Sequence, residues 1–172
     1  MDNLLCMGTF PRHGHITGSF FGEIYNLFKK REIYPLQENN YLAFWNKKYS
    51  GDEKLIDPLE IDDIDILEEL DVVQPDFMFF KENTYIQNHS TLRTAGIPDL
   101  VVEIWSKANT KPEKDMKFRL YSSSESCEHW YLTQNSNIVK CWKGLRRLDN
   151  QTLEKPLKTT GGIVFDLTHL AL

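Results

Sequence analysis

The chain has 172 residues, 41% of them hydrophobic and 26% charged, with a formal net charge of −5. That length predicts a single domain over residues 1–172 with enough chain to bury a core, and the composition excludes wholesale disorder. Apolar runs such as Phe77 to Phe80 and Leu100 to Val102 are only a few residues long, far short of the ~20 residues of a membrane span, so no membrane partner is expected.

The opening Met1-Asp2-Asn3 carries an acid where a signal peptide needs positive charge, which argues against secretion. Three widely spaced cysteines, Cys6, Cys127 and Cys141, exclude a disulfide framework and a zinc knuckle, and predict a reducing, cytoplasmic setting. The charge is unevenly spread. Residues 52–76 hold eleven acids and one base, Lys54. The other residues hold 14 acids and 19 bases, a local excess of five positive charges. A chain of this kind can present a basic face to phosphate while its acidic block stays solvated.

Ile16, Phe20, Ile24, Leu27 and Phe28 recur at helical spacing, predicting an amphipathic helix from Gly14 to about Arg31. Tyr41 to Trp45 reads as a strand closed by Ser50-Gly51-Asp52. A short helix is expected around Ile64 to Leu70, within the acidic block. Val72 to Phe80 is expected to be a strand with Pro75 in its middle, which places it at an edge or starts it near there. Lys81 to Ile97 is polar and reads as a loop.

Asp99 to Trp105 is rich in β-branched residues and mainly apolar on both faces, which predicts a central strand covered on both sides. A helix follows from Thr110 to about Ser123. Thr110 with Glu113 fits a capping box and Pro112 suits the first turn. Met116 and Leu120 are its expected core contacts, with Lys114, Lys117 and Tyr121 on a neighbouring stripe. Glu128 to Thr133 and Ile138 to Trp142 read as two strands joined by residues 134–137, and Ile163 to Phe165 as a last strand. The sum is an α/β fold around one mixed sheet.

Two acids sit inside strongly apolar strands, Asp76 and Glu103. A buried carboxylate is costly unless it is paired or binds a metal. If the strands are neighbours, both carboxylates meet at one point, and Lys117 on the following helix reaches it too. Two carboxylates, a backbone carbonyl and waters form a hard-oxygen set suited to Mg2+ or Mn2+. With a lysine beside them they compose a centre for phosphodiester hydrolysis. The same residues also admit a purely structural Lys117–Glu103 ion pair.

Val73-Gln74-Pro75-Asp76, the run from Gly96 through Pro98-Asp99-Leu100-Val101-Val102-Glu103-Ile104-Trp105-Ser106, then Lys117, Tyr121 and Glu128-His129-Trp130-Tyr131-Leu132 resemble the restriction endonuclease family labelled Uma-two. That family was long catalogued as a domain of unknown function and belongs to the PD-(D/E)XK nuclease-like superfamily. The likeness runs from about residue 7 to the C-terminus. It implies a restriction-endonuclease-like fold, a mixed β-sheet flanked by α-helices. It implies a metal-dependent endonuclease acting on DNA, with Mg2+ (or Mn2+) as cofactor and a homodimer as the assembly that cuts two strands.

Carried over residue by residue, Asp76 and Glu103 are metal ligands, the Ile104 carbonyl is a third, and Lys117 is a catalytic lysine displaced onto the helix. The superfamily often carries that lysine two residues after the acid, where this chain has Trp105. Tyr121, one turn later, is in place to order Lys117. Asp99 is the rival first acid, but it stands four residues from Glu103, about 13 Å along a strand, so Asp76 is preferred. The chain departs from the family in Ser106-Lys107-Ala108, where Ser-Pro-Ser is usual, and in a shorter N-terminal segment.

Weaker candidates remain. His15, with Arg12 and His13 nearby, could contact a phosphate near a helix N-terminus, or simply be a surface histidine. Glu23 could be an outer acid of the metal site or a solvated helix residue. His89 and His129 lack ligand spacing and read as surface and sheet residues, and Trp105 and Trp130 read as core. The alternative function is a catalytically silent nuclease fold serving as a nucleic-acid- or protein-binding module. A small-molecule hydrolase using the same metal is a third reading.

Overall fold

Ile16, Phe20 and Ile24 repeat every four residues, and in the computed structural model each is buried on one side of helix α1 (Pro11–Lys29). The structure describes residues 11–29, 34–35, 41–45, 70–80, 86–88 and 93–172. The expected helix near residues 64–70 lies outside them except for Leu70, as do Cys6 and His89.

The strands in chain order are β1 (Tyr34–Pro35), β2 (Tyr41–Trp45), β3 (Leu70–Val73), β4 (Phe77–Phe80), β5 (Ile86–Asn88), β6 (Arg93–Ala95) and β7 (Leu100–Trp105). Helix α2 (Lys111–Ser122) follows, then β8 (Glu128–Thr133), β9 (Ile138–Lys143), β10 (Arg146–Arg147), β11 (Gln151–Thr152), β12 (Leu157–Lys158) and β13 (Val164–Phe165). A 3-10 turn at Thr168–Leu170 comes last.

The main sheet has the order β1-β4-β7-β8-β9-β10, with β11 also on β9. Its neighbours are antiparallel except β7 and β8, which run parallel. Parallel neighbours require a crossover connection, and α2 is that crossover. A second sheet has the order β3-β2-β6-β5, and β12 pairs with β13.

All six residues of β7 are buried, because both faces of the sheet are covered. Leu100, Val102 and Ile104 pack with Ile16, Phe20 and Ile24 of α1. Val101 and Trp105 pack with Leu120 and Tyr121 of α2. The strand's period of two therefore sends Glu103 to the α2 face. Among the described residues no helix is long and apolar enough to cross a membrane.

Five details depart from expectation. The expected strand from Val72 to Phe80 is two strands in two sheets, β3 and β4, because Pro75 offers no N–H to a ladder and the chain changes partner there. The segment read as a loop, Lys81 to Ile97, contains β5 and β6. Helix α1 starts at Pro11, three residues before the expected Gly14, with proline suited to a first turn. Met116 is 45% exposed rather than core. The cap of α2 is half of the expected box: Thr110 Oγ1 accepts from the Glu113 N–H at 3.4 Å, while the Glu113 side chain accepts from Asn109 Nδ2 at 3.1 Å.

Candidate active site

Phe77 pairs with Val102 in antiparallel register, so the next step along both strands sets Asp76 opposite Glu103. The chain enters β4 from Gln74-Pro75, and Asp76 completes the backbone pattern there. Its Oδ2 accepts the Ile104 N–H at 2.6 Å, and its Oδ1 lies 3.0 Å from His13 Nε2 of α1. Asp76 is half-buried, whereas Glu103 is 1% exposed.

Helix α2 brings two donors to Glu103. Lys117 Nζ donates to Oε2 at 2.9 Å, and the Tyr121 hydroxyl donates to Oε1 at 2.5 Å. One turn separates the two residues, which is the spacing that puts them on one helix face. Lys117 Nζ also donates to the Gln74 carbonyl at 3.1 Å. It therefore ties the segment preceding β4 to β7.

Burial is the main force on the Glu103 carboxyl, lifting it to about 7; the Lys117 ammonium opposes the lift and the Asp76 carboxylate reinforces it. Burial and the nearby Glu103 charge raise the Tyr121 phenol well above its ordinary range, which keeps it a donor. The alternation of β7 also fixes the Ile104 carbonyl. Asp99 and Trp105 turn their carbonyls toward β8, to the N–H groups of Glu128 and Gln134. Ile104, of opposite parity, points to the β4 side, where its N–H meets Asp76. Among the described residues no group of three or more His, Cys, Asp or Glu side chains converges as a metal cluster. A cation here would draw on two carboxylates and a backbone carbonyl.

Of the residues picked from the sequence, Asp76, Glu103, Lys117 and Tyr121 come together. His15 does not: it lies exposed on the first turns of α1, and its neighbour His13 makes the contact to Asp76. Glu23 does not either, because its Oε2 accepts the Asp166 N–H at 3.3 Å. Asp99, at the start of β7, lines a cavity of about 50 Å³ with Glu128, Lys143 and Thr160. His129 is a sheet residue as expected, buried in β8 with Nδ1 2.8 Å from the Tyr131 hydroxyl and Nε2 2.9 Å from the Gly144 carbonyl. His13 could have been found only through the Pro11–His15 segment, whose partner lies 63 residues away.

Among solved structures, a putative nuclease belonging to DUF820 from Anabaena variabilis ATCC 29413 has the same fold, with a TM-score of 0.57 at 13% identity, over 95% of this chain and 84% of that one. No curated protein matches the sequence. Residues 42–159, over half of the chain, match the Uma2 family, described as a putative restriction endonuclease. The stretch takes in Asp76, Glu103, Lys117 and Tyr121, and the chain belongs to the Uma2 family.

Proposed function

We propose that the chain is a metal-dependent endonuclease of PD-(D/E)XK type that hydrolyses phosphodiester bonds of DNA. The observation that carries the reading is the register: Asp76 faces Glu103 across β4 and β7, with Lys117 Nζ 2.9 Å from the Glu103 carboxylate. The family description adds the nuclease chemistry.

The donor set fits Mg2+ or Mn2+. Two carboxylates and the Ile104 carbonyl are hard oxygen ligands, and each carboxylate oxygen with one hydrogen bond keeps a second lone pair. Burial, reinforced by Asp76, pushes the Glu103 carboxyl up to about 7 despite Lys117, and a divalent cation beside it would favour the ionised form. A bound divalent ion would polarise a phosphoryl oxygen and acidify a water. In this reading Tyr121 and Lys117 fix the Glu103 carboxylate from two sides. His13 and the Ile104 N–H fix Asp76. Lys117 carries a proton donor to the phosphate, orienting the attacking water and offsetting charge on the phosphoryl oxygens as the bridging P–O bond breaks.

A second reading has its own observation: both Glu103 oxygens already have a partner, in Lys117 and Tyr121. A silent nuclease fold that binds nucleic acid or protein would keep that pair as structure. Thermal unfolding with millimolar Mn2+ separates the two, since a ligand of the native state alone stabilises it by mass action. The nuclease reading expects a rise in wild type that disappears in Asp76→Ala. It also expects cleavage of supercoiled DNA that EDTA stops and that Asp76→Ala, Glu103→Ala and Lys117→Ala each lose. Cleavage surviving EDTA would overturn the metal reading; a wild type indifferent to Mn2+, with no cleavage, would favour the silent fold.

A further inference from the structure

Trp105, which closes β7, holds more than a core position. Its indole stacks on Tyr131 with ring centroids 5.6 Å apart and planes 10° from parallel. It also receives two ammonium groups of α2: Lys114 Nζ and Lys117 Nζ each lie 5.6 Å from the ring centroid. Attraction of a cation to an indole face operates at this range.

The two lysines are one turn apart on the same helix face, yet their charges are used differently. Lys117 is neutralised by Glu103 and the Gln74 carbonyl. For Lys114, no carboxylate stands within ion-pair distance among the described residues: Lys111 takes Asp115, and Glu113 accepts from Asn109. Lys114 is half-buried, not waving in solvent. Among the described residues, Lys114 is thus a cation without a counter-charge on the wall of the site, on the same ring that carries Lys117.

We propose that Lys114 is a phosphate-contacting residue, which Trp105 holds beside Lys117 so that it meets the nucleic-acid backbone next to the scissile bond. The proposal rests on the nuclease reading of the site and deepens it by assigning a substrate contact. Trp105 is the positioning residue. Its ring offers no hydrogen bond to the ammonium, so all three N–H donors of Lys114 stay available to phosphate oxygens.

The test is fluorescence anisotropy of a labelled DNA duplex with the full chain in EDTA, titrated between about 50 and 200 mM salt. A phosphate-contacting lysine contributes about one unit to the slope of log affinity against log salt. Lys114→Gln is expected to lower the slope by about one unit and weaken binding roughly 5- to 10-fold at low salt, with Lys114→Arg keeping both. Lys158→Gln, beside Leu157 of the core on the α1 face, is expected to match wild type. The unfolding temperature and the Mn2+ response of Lys114→Gln are expected to stay at wild-type values, which a purely structural role for the lysine would not combine with a lost slope. Unchanged slope and affinity in Lys114→Gln would overturn this inference and leave the nuclease reading standing. Wild type with no salt-dependent DNA binding would overturn both. Binding that depends on Lys114 in a protein that ignores Mn2+ would keep the phosphate contact and sink the metal.

Discussion

Glu103 is the residue on which stability and chemistry disagree. At 1% exposure a carboxylate loses its hydration, and its carboxyl rises to about 7 from an ordinary 4.5. Between those values the native state holds a proton that the unfolded chain has released. The stabilising contribution is therefore full below about pH 4.5 and lost as pH climbs through about 7. Glu103→Gln removes this dependence. Urea unfolding in EDTA should show the variant gaining on wild type from pH 5 to pH 8, by on the order of 3 kcal/mol; a difference flat in pH would contradict the assignment. His129 has the opposite sign. Burial lowers it to about 4 from 6.5, so the unfolded chain binds its proton first and stability falls as pH drops from about 6.5 toward 4. The His129→Gln variant should lose that slope. Tyr121→Phe keeps the ring and deletes the donor to Glu103, which should cost about 1–3 kcal/mol.

At the scale of elements, α1 carries an unexpected weakness. Gly14, Gly18 and Gly22 lie on its exposed side, four residues apart, and a Cβ at any of them would meet nothing within 4 Å. Glycine inside a helix costs about 0.8–1 kcal/mol relative to alanine. Gly18→Ala and Gly22→Ala should each raise stability by about that much, measured by urea midpoint at unchanged m-value; a loss in either would mean the helix is not built as described. The helix itself was legible in the sequence, because Ile16, Phe20 and Ile24 keep a 3.6-residue period against one face of the sheet. So was β7, whose alternation of Val101, Glu103 and Trp105 against Leu100, Val102 and Ile104 is read directly from a period of two. Strands β5 and β6 were not legible: three-residue strands in a polar stretch are fixed by their partners, and β6 exists by pairing with β2 across about 50 residues of chain. The split at Pro75 was half legible. Proline announced a defect in the ladder, but not that β3 and β4 would join different sheets.

Across the described residues, the candidate site lies where the main sheet, the segment leading from β3 and both α-helices meet. Asp76 follows the switch from β3 to β4, Glu103 lies mid-sheet, Lys117 and Tyr121 arrive on the crossover, and His13 comes from α1. Spacing along the chain suggested Asp76, Glu103 and Lys117, since helix and strand periods are local, and the family resemblance added Tyr121. His13 stayed hidden because only the tertiary fold brings it across 63 residues. Lys117 is the central tie, since one ammonium holds both the Gln74 carbonyl before β4 and the Glu103 carboxylate of β7. Removing it leaves a buried carboxylate without its counter-charge, and such broken pairs typically cost about 3–5 kcal/mol. Lys117→Met should show a loss of that order at pH 8 and a smaller one at pH 5, where the Glu103 carboxyl is protonated and needs no cation. Adding Glu103→Gln to Lys117→Met should recover a large part of it, because the unpaired charge is gone and only packing and the Gln74 bond stay lost. The four proteins of that cycle, unfolded in urea at both pH values, give the coupling between the pair. Strict additivity at pH 8 would mean that Lys117 and Glu103 do not interact. Strong coupling at pH 8 that fades at pH 5 would identify charge pairing as the bond across this junction.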